Sequence, residues 1–258
     1  MYGFCPLASG SKGNSIFIGT KNTKILVDAG ISAKSATSKL GEIGVKPEEL
    51  DAILISHEHT DHIAGVKVLA SRYNIPIIAN RETAKALAQE FHTSPQFKIF
   101  MTGEPFEFQD LEIHPFSVQH DARDPVAFTI RTETEKIGIC TDLGFATSLV
   151  QHALQGCSIL YLEANHKPSM VHSSPRPLAY KERVLSRTGH LSNEECGTLL
   201  VHVAHGAIRQ VYLAHLSSEC NTPQVALETV GEILEKHSIA LPLTIAHQAE
   251  RSLVTLFE

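Results

Sequence analysis

Four potential metal ligands fall within six residues, His57-Glu58-His59-Thr60-Asp61-His62, where the apolar run 52–56 ends and a helical pattern over 61–71 begins. Side chains two apart on extended backbone share a face, so His57 and His59 can reach one cation. Asp61 and His62 then lie in the turn that opens the helix, where the chain changes direction and can present them to a second. Zinc–nitrogen bonds are about 2.0–2.1 Å long and paired catalytic cations sit roughly 3.5–4 Å apart, so ligands for two ions must crowd in this way. A lone HxH is more often a surface turn; the full HxHxDH at a strand end is poorly explained as one. Two cations need more ligands than this segment supplies, so the fold has to bring others to the same place.

Those ligands are available at other strand ends. His120 follows FSVQ, Asp142 follows IGICT and His215 follows VYLA. A carboxylate has two oxygens, which suits Asp142 to bridging two cations. Apolar, β-rich runs predict strands at 15–18, 24–27, 52–56, 75–79, 111–118, 127–131 and 136–140, then at 159–163, 210–214 and 243–245. Helical patterns cover 61–71, 81–89, 192–204 and 222–237; the third opens on Ser192 with Glu195 three residues on, a capping box. No Gly/Ser-rich or charged linker separates the two series and no repeat recurs at a fixed period. Residues 1–258 therefore read as one domain of two βα halves, sheet facing sheet with helices outside.

Composition narrows the function. Fifteen histidines against no tryptophan is the oddity, since histidine is the commonest metal ligand. The five cysteines, an odd number without a CxxC, argue against a disulfide framework and against an all-cysteine zinc site, and read as reduced packing residues. A net charge of −6 gives no global reason to bind nucleic acid. The apolar runs are strand-sized, well short of the roughly 20 residues of a membrane-spanning helix, and the start of the chain lacks the pattern of a secretory signal. A cytoplasmic protein with no membrane partner is expected.

HxHxDH followed by single His, Asp and His at these strand ends resembles the metallo-β-lactamase superfamily over essentially the whole chain. The resemblance implies an α/β fold, a four-layer αββα sandwich. It implies one cation on His57, His59 and His120, a second on Asp61, His62 and His215, Asp142 as the bridge, and Asp28 supporting the site from behind without being a ligand. LASGSKGNS (7–15), VDAGIS (27–32), QHDARDP (119–125), LEANH (162–166), GHLSN (189–193) and AHLSSECN (214–221) are similar to the YycJ/WalJ group. That likeness implies a 5′ to 3′ exonuclease acting on DNA, with two divalent cations, Zn²⁺ or Mn²⁺, and oligomeric state left open. Lys167 stands where the group leads us to expect an aspartate, and the stretch to Pro177 also departs from the pattern.

Two cations activate a bridging water and stabilise attacking and leaving oxygens, so no protein nucleophile is needed; what remains is an acid for the leaving alkoxide. His190 with Glu163 resembles the His and Glu that serve this purpose in tRNA 3′-processing nucleases, while Glu163 is alternatively a partner of a ligand histidine. For substrate contacts, Ser11 and Asn14 share a glycine-containing loop with Ser9, a phosphate nest or a plain tight turn, and Asn193 belongs to GHLSN. Lys167, Arg176, Lys181, Arg183 and Arg187 face a single acid, Glu182, in 167–187, so this stretch is locally basic. Lys181, Arg183 and Arg187 are the expected phosphate contacts, with a solvated helix surface as the alternative. Met101, Phe106 and Phe108 read as core. His92, His114, His152, His202, His205, His237 and His247 read as surface or packing residues, with His172 open. The competing functions are hydrolysis of a small ester, thioester or lactam, RNA processing, and a metal-binding module with a vestigial site.

Overall fold

The computed structural model describes residues 1–91 and 95–257, so His92 lies outside the described residues. β1 (Gly3–Ala8), β2 (Ser15–Gly19), β3 (Lys24–Val27), β4 (Ala52–Leu54), β5 (Ile77–Asn80) and β6 (Phe97–Phe100) lie side by side in chain order. β7 (Phe106–Phe108), β8 (Leu111–Ser117), β9 (Val126–Arg131), β10 (Lys136–Cys140), β11 (Ile159–Glu163), β12 (Gln210–Ala214) and β13 (Leu243–Ile245) form a second sheet, and β14 (Thr255–Leu256) returns to the first beside β1.

Both faces of each sheet are covered, which is why the strands read as near-continuous apolar runs rather than alternating ones. In β3, Ile25 and Val27 point between the sheets, where they meet Phe128, Ile139, Tyr161 and Tyr212 of the second sheet in one core. Leu26 points the other way, into a core shared with α1 (Ala33–Glu42), α3 (Val66–Tyr73) and α4 (Arg81–Ala88). On the outer face of the second sheet a third core holds α5 (Ser148–Leu154), α8 (Asn193–Val203) and α9 (Pro223–Lys236). The result is the expected αββα sandwich, each fully buried Leu, Ile or Phe contributing about 1.5–3 kcal/mol.

The helix expected over 61–71 is two helices: a single turn, α2 (Thr60–Ile63), then α3. The break is at Gly65, whose N–H donates to Ala29 O and whose Cβ position would lie 2.2 Å from Ile31 O, so the loop after β3 occupies the space a continuous helix needs. Met101 is another correction: it is 64% exposed, beyond the end of edge strand β6, whereas Phe108 is buried and Phe106 packs against the inter-sheet core. Between β11 and α8 the chain forms two short helices, α6 (Pro168–Ser173) and α7 (Leu178–Val184), tied down by Val171, Val184 and Cys220. No helix among the described residues is long and apolar enough to cross a membrane.

Candidate metal centre

Strands β3 to β6 run parallel, as do β10 to β13. In open parallel sheets ligands gather beyond the carboxyl ends of the strands, and here those ends deliver Asp28 after β3, His57 to His62 after β4, Asp142 after β10, Glu163 at the end of β11 and His215 after β12. His120 comes from the β8–β9 connection. Asp28, Asp142 and His215 all have left-handed backbone, with φ of 57°, 58° and 53°. For non-glycine residues this costs about 1 kcal/mol or more each, and it turns each side chain back across the strand end toward the site.

The side chains converge as separate sets. Ligand-type atoms of His57, His59 and His120 lie within 4.8 Å of one another, as do those of Asp61, His62 and His215; Asp142 joins a set with His57 and His62 and another with Glu163, His190 and His215. Among the described residues His57 Nε2 and His215 Nε2 are buried without a hydrogen-bond partner, and Asp142 Oδ2 faces only His62 Nε2, at 3.1 Å. Native interiors rarely leave such atoms unpaired, and an inward-facing imidazole nitrogen opposite a carboxylate oxygen is the donor set of a divalent cation. The residues present fit the metal that the sequence implies.

On four of the five candidate ligand histidines the opposite ring nitrogen is engaged, while His59 Nδ1 lies 3.2 Å from His120 Nε2. Asp28 Oδ2 lies 2.7 Å from His62 Nδ1, Ser56 Oγ 3.0 Å from His57 Nδ1, Gly189 O 3.2 Å from His120 Nδ1, and Glu163 Oε1 2.7 Å from His215 Nδ1. Such contacts fix the tautomer and leave each Nε2 lone pair facing inward. Asp28 is itself held by the Ser56 N–H and hydroxyl, both at 2.8 Å. Burial pushes the His57 imidazole well below its ordinary pKa, with His62 adding to the effect. Burial also opposes ionisation of Asp142, but His215 and His62 overcome it and hold the carboxyl well below the usual range.

Glu163 is completely buried, and the two readings offered for it meet in one atom. Its Oε1 accepts from His215 Nδ1 at 2.7 Å and from His190 Nδ1 at 2.8 Å, while Oε2 accepts the Leu143 and Leu191 N–H groups at 3.0 and 3.1 Å. Burial alone would raise its pKa; His190 and His215 bring it down to about 2. With both oxygens committed, Glu163 acts as a hydrogen-bond hub and, among the described residues, leaves Nε2 of the cleft-lining His190 without a hydrogen-bond partner.

A cleft of about 380 Å³ opens over these residues, lined on its rim by Ser11, Lys12, Arg176, Tyr180, Arg183 and Glu219. Ser11 and Arg183, expected as substrate contacts, are among the residues lining it. Asn14 is buried beneath the site, its Nδ2 3.0 Å from His62 Nε2 and its Oδ1 accepting from the Gly10 N–H. Asn193 is wholly interior and exchanges two side-chain bonds with Asn221, whose Nδ2 also reaches Ala164 O and Asn165 O. It staples three loops together and does not reach the cleft. Lys181 donates its ammonium to His172 O, and Arg187 stacks 3.9 Å from the Phe145 ring centroid; neither lines the cleft. Lys12, Tyr180, Glu219 and Asn165 were not anticipated, and Arg176, counted only within the basic stretch, belongs to the rim. Lys167, in the atypical stretch, is the residue that precedes α6.

Comparison with known proteins agrees with this geometry. Residues 23–216 match the family model described as a beta-lactamase superfamily domain. The chain is 39% identical to Exodeoxyribonuclease WalJ of Streptococcus pneumoniae serotype 2 over 87% of its length and 85% of that protein. It is 34% identical to Exodeoxyribonuclease YycJ of Bacillus anthracis over 90% of its length and 89% of that protein. Among solved structures, the metallo-beta-lactamase fold protein YhfI from Bacillus subtilis superposes with a TM-score of 0.74 at 16% identity, covering 98% of this chain and 99% of that one. The chain belongs to the metallo-β-lactamase-fold hydrolase superfamily, and within it to the YycJ/WalJ group.

Proposed function

We propose that this protein is a cytoplasmic two-metal phosphodiesterase that digests DNA from 5′ ends. His57, His59 and His120 would hold one cation and Asp61, His62 and His215 the other, with Asp142 placed to serve both. An all-nitrogen and oxygen donor set without thiolate suits Mn²⁺ as well as Zn²⁺. The chemistry such a pair supplies when bound is activation of water near neutral pH and neutralisation of charge on a phosphoryl group.

The observation that carries the reading is the Glu163–His190 pair beside the ligand sets, at 2.8 Å. Glu163 holds the ring by Nδ1–H, so Nε2 is the atom that can carry a proton to a departing oxygen. In release of a 5′-terminal nucleotide the P–O3′ bond breaks, the oxygen of water joins phosphorus, and the O3′ alkoxide takes its proton from His190. Polarity and the choice of DNA rest on the likeness to the YycJ/WalJ group, whose matched members are named exodeoxyribonucleases. Lys12, Arg176 and Arg183 on the cleft rim favour a polyanion over a neutral ester or lactam.

The test is digestion of duplexes labelled at either the 5′ or the 3′ end, with Mn²⁺, Zn²⁺ or Mg²⁺. The expected result is early release of labelled mononucleotide from the 5′-labelled substrate only. Early release from the 3′ end, or hydrolysis of lactams or thioesters without phosphodiesters, would overturn it.

A further inference from the structure

Two arginine–carboxylate forks border the metal centre, one beside the residue that follows His120 and one in the loop that follows His215. Arg183 engages Asp121, the residue after His120, through Nε to Oδ2 at 2.6 Å and Nη2 to Oδ1 at 3.2 Å. Arg176 engages Glu219, four residues after His215, through Nε to Oε2 at 2.6 Å and through Nη2 to Oε1. Both arginines and Glu219 line the cleft. A guanidinium fork that fits a carboxylate fits a phosphate equally well.

These pairs are built to be exchanged rather than to hold the fold. Arg176 and Glu219 are 48% and 43% exposed, and Arg183 and Asp121 are 55% and 34% exposed. Exposed ion pairs contribute roughly 0.2–1 kcal/mol. The platform under them is firm: Val171, Val184 and Cys220 bury α6 and α7 against the loop after β12, and the Arg176 guanidinium rests 5.3 Å from the Tyr180 ring centroid. Lys12 adds a third cation to the rim, and the Glu219 carboxyl is held below its usual range by the Arg176 hydrogen bond first and by Lys12 to a smaller degree.

Resting on the nuclease reading above, we propose that Arg176 and Arg183 are the backbone clamps of this site. They grip the phosphates on either side of the scissile one, and Glu219 and Asp121 occupy the two forks until nucleic acid displaces them. The strand then crosses the centre from the Arg176 side to the Arg183 side. The clamp residues are Arg176 and Arg183, not Lys181 or Arg187.

The experiment measures kcat/KM for digestion of a 5′-labelled duplex at several salt concentrations, with turnover of bis(4-nitrophenyl) phosphate by the wild-type enzyme as a check on the chemistry. Arg176→Ala and Arg183→Ala are each expected to lower kcat/KM about tenfold or more at low salt, mainly through KM, and to flatten the slope against log salt by about 0.9. Arg176→Lys keeps the charge and loses the fork, so it retains the slope but still raises KM. Glu219→Gln removes the competing carboxylate and is expected to raise kcat/KM about two- to fivefold, opposite in sign to its partner's substitution. Lys181→Ala leaves the slope unchanged. A fall for Glu219→Gln matching that for Arg176→Ala would make the pair structural and overturn the clamp, as would unchanged slopes for both arginine variants. Failure of the wild type to cleave either substrate would overturn the nuclease reading, and the clamp with it.

Discussion

His190 is reached by the cleft, and although it falls in one candidate set with Asp142, Glu163 and His215, its Nδ1 lies 3.6 Å from Asp142 Oδ1 and is committed to Glu163 at 2.8 Å. His190→Ala is therefore expected to retain metal while slowing DNA cleavage by about 10²–10⁴, the usual contribution of a positioned acid. The loss should shrink for a nitrophenyl diester, whose leaving group needs no proton; equal losses on both substrates would remove His190 from that role. His62 and His215 behave differently. Burial would push both down, but Asp28 and Asp142 beside His62, and Asp142, Asp61 and Glu163 beside His215, hold their pKa values well above the ordinary one. In metal-stripped protein these raised values contribute stability that is fully present below about 6.5, the unfolded value, and is lost as pH rises through the folded values. Cations need neutral imidazole, so binding near neutrality must expel protons and strengthen as pH rises. Calorimetric titration in buffers of different ionisation enthalpy reads the release directly, and none would contradict this account. The His and Asp of the site were legible in the sequence because metal chemistry admits few residue types and the strand ends group them. Asn14 and Asn193, expected at the substrate, lie in the interior, and an amide looks the same in sequence whether it meets a substrate or pairs inside.

At the scale of elements, the turn carrying Asp61 and His62 rests on the loop after β3. Asp61 O accepts the Asn14 N–H at 2.7 Å, and Gly30 lies so close that an added Cβ would sit 1.6 Å from Asp61 O and 2.8 Å from Asn14 N. Both neighbours are backbone and cannot step aside. Gly30→Ala is therefore expected to cost about 3 kcal/mol or more, lowering Tm by about 6 °C or more and loosening metal binding. An unchanged Tm with full metal content would show that the contact is not needed. Strands with strong apolar patterns, such as β10, β11, β12 and β13, were legible to the residue, and the capping box of α8 is present as read. β6 and β7 were not, because Lys98, Ile99 and Glu107 at their middles are exposed and neither strand carries a buried apolar run. α6 and α7 were missed because they are anchored mainly by Val171 and Val184, with most of their surface in water. The single helix expected over 61–71 failed for a tertiary reason, the approach of the 29–31 loop at Gly65.

Across the whole molecule the candidate ligands divide between the two sheets: His57, His59, Asp61 and His62 follow β4 of the first, and His120, Asp142 and His215 follow strands of the second. Bound cations would cross-link the two halves of the sandwich at one edge. At a free metal concentration about a thousandfold above Kd such binding adds about 4 kcal/mol, so chelation should lower Tm by roughly 8–16 °C, and Asp142→Ala should abolish most of that difference. The paired-sheet architecture was legible from two series of apolar runs without a linker, but the meeting of their ends was legible only through the ligands that require it. The most direct test of the central claim is a titration of metal-stripped protein with Mn²⁺, counting equivalents bound while following nucleotide release from a 5′-labelled duplex. Two-metal catalysis predicts no release without metal, a plateau at two equivalents per chain, and none from Asp142→Ala; full release by stripped protein or by the stripped Asp142→Ala variant would rule it out.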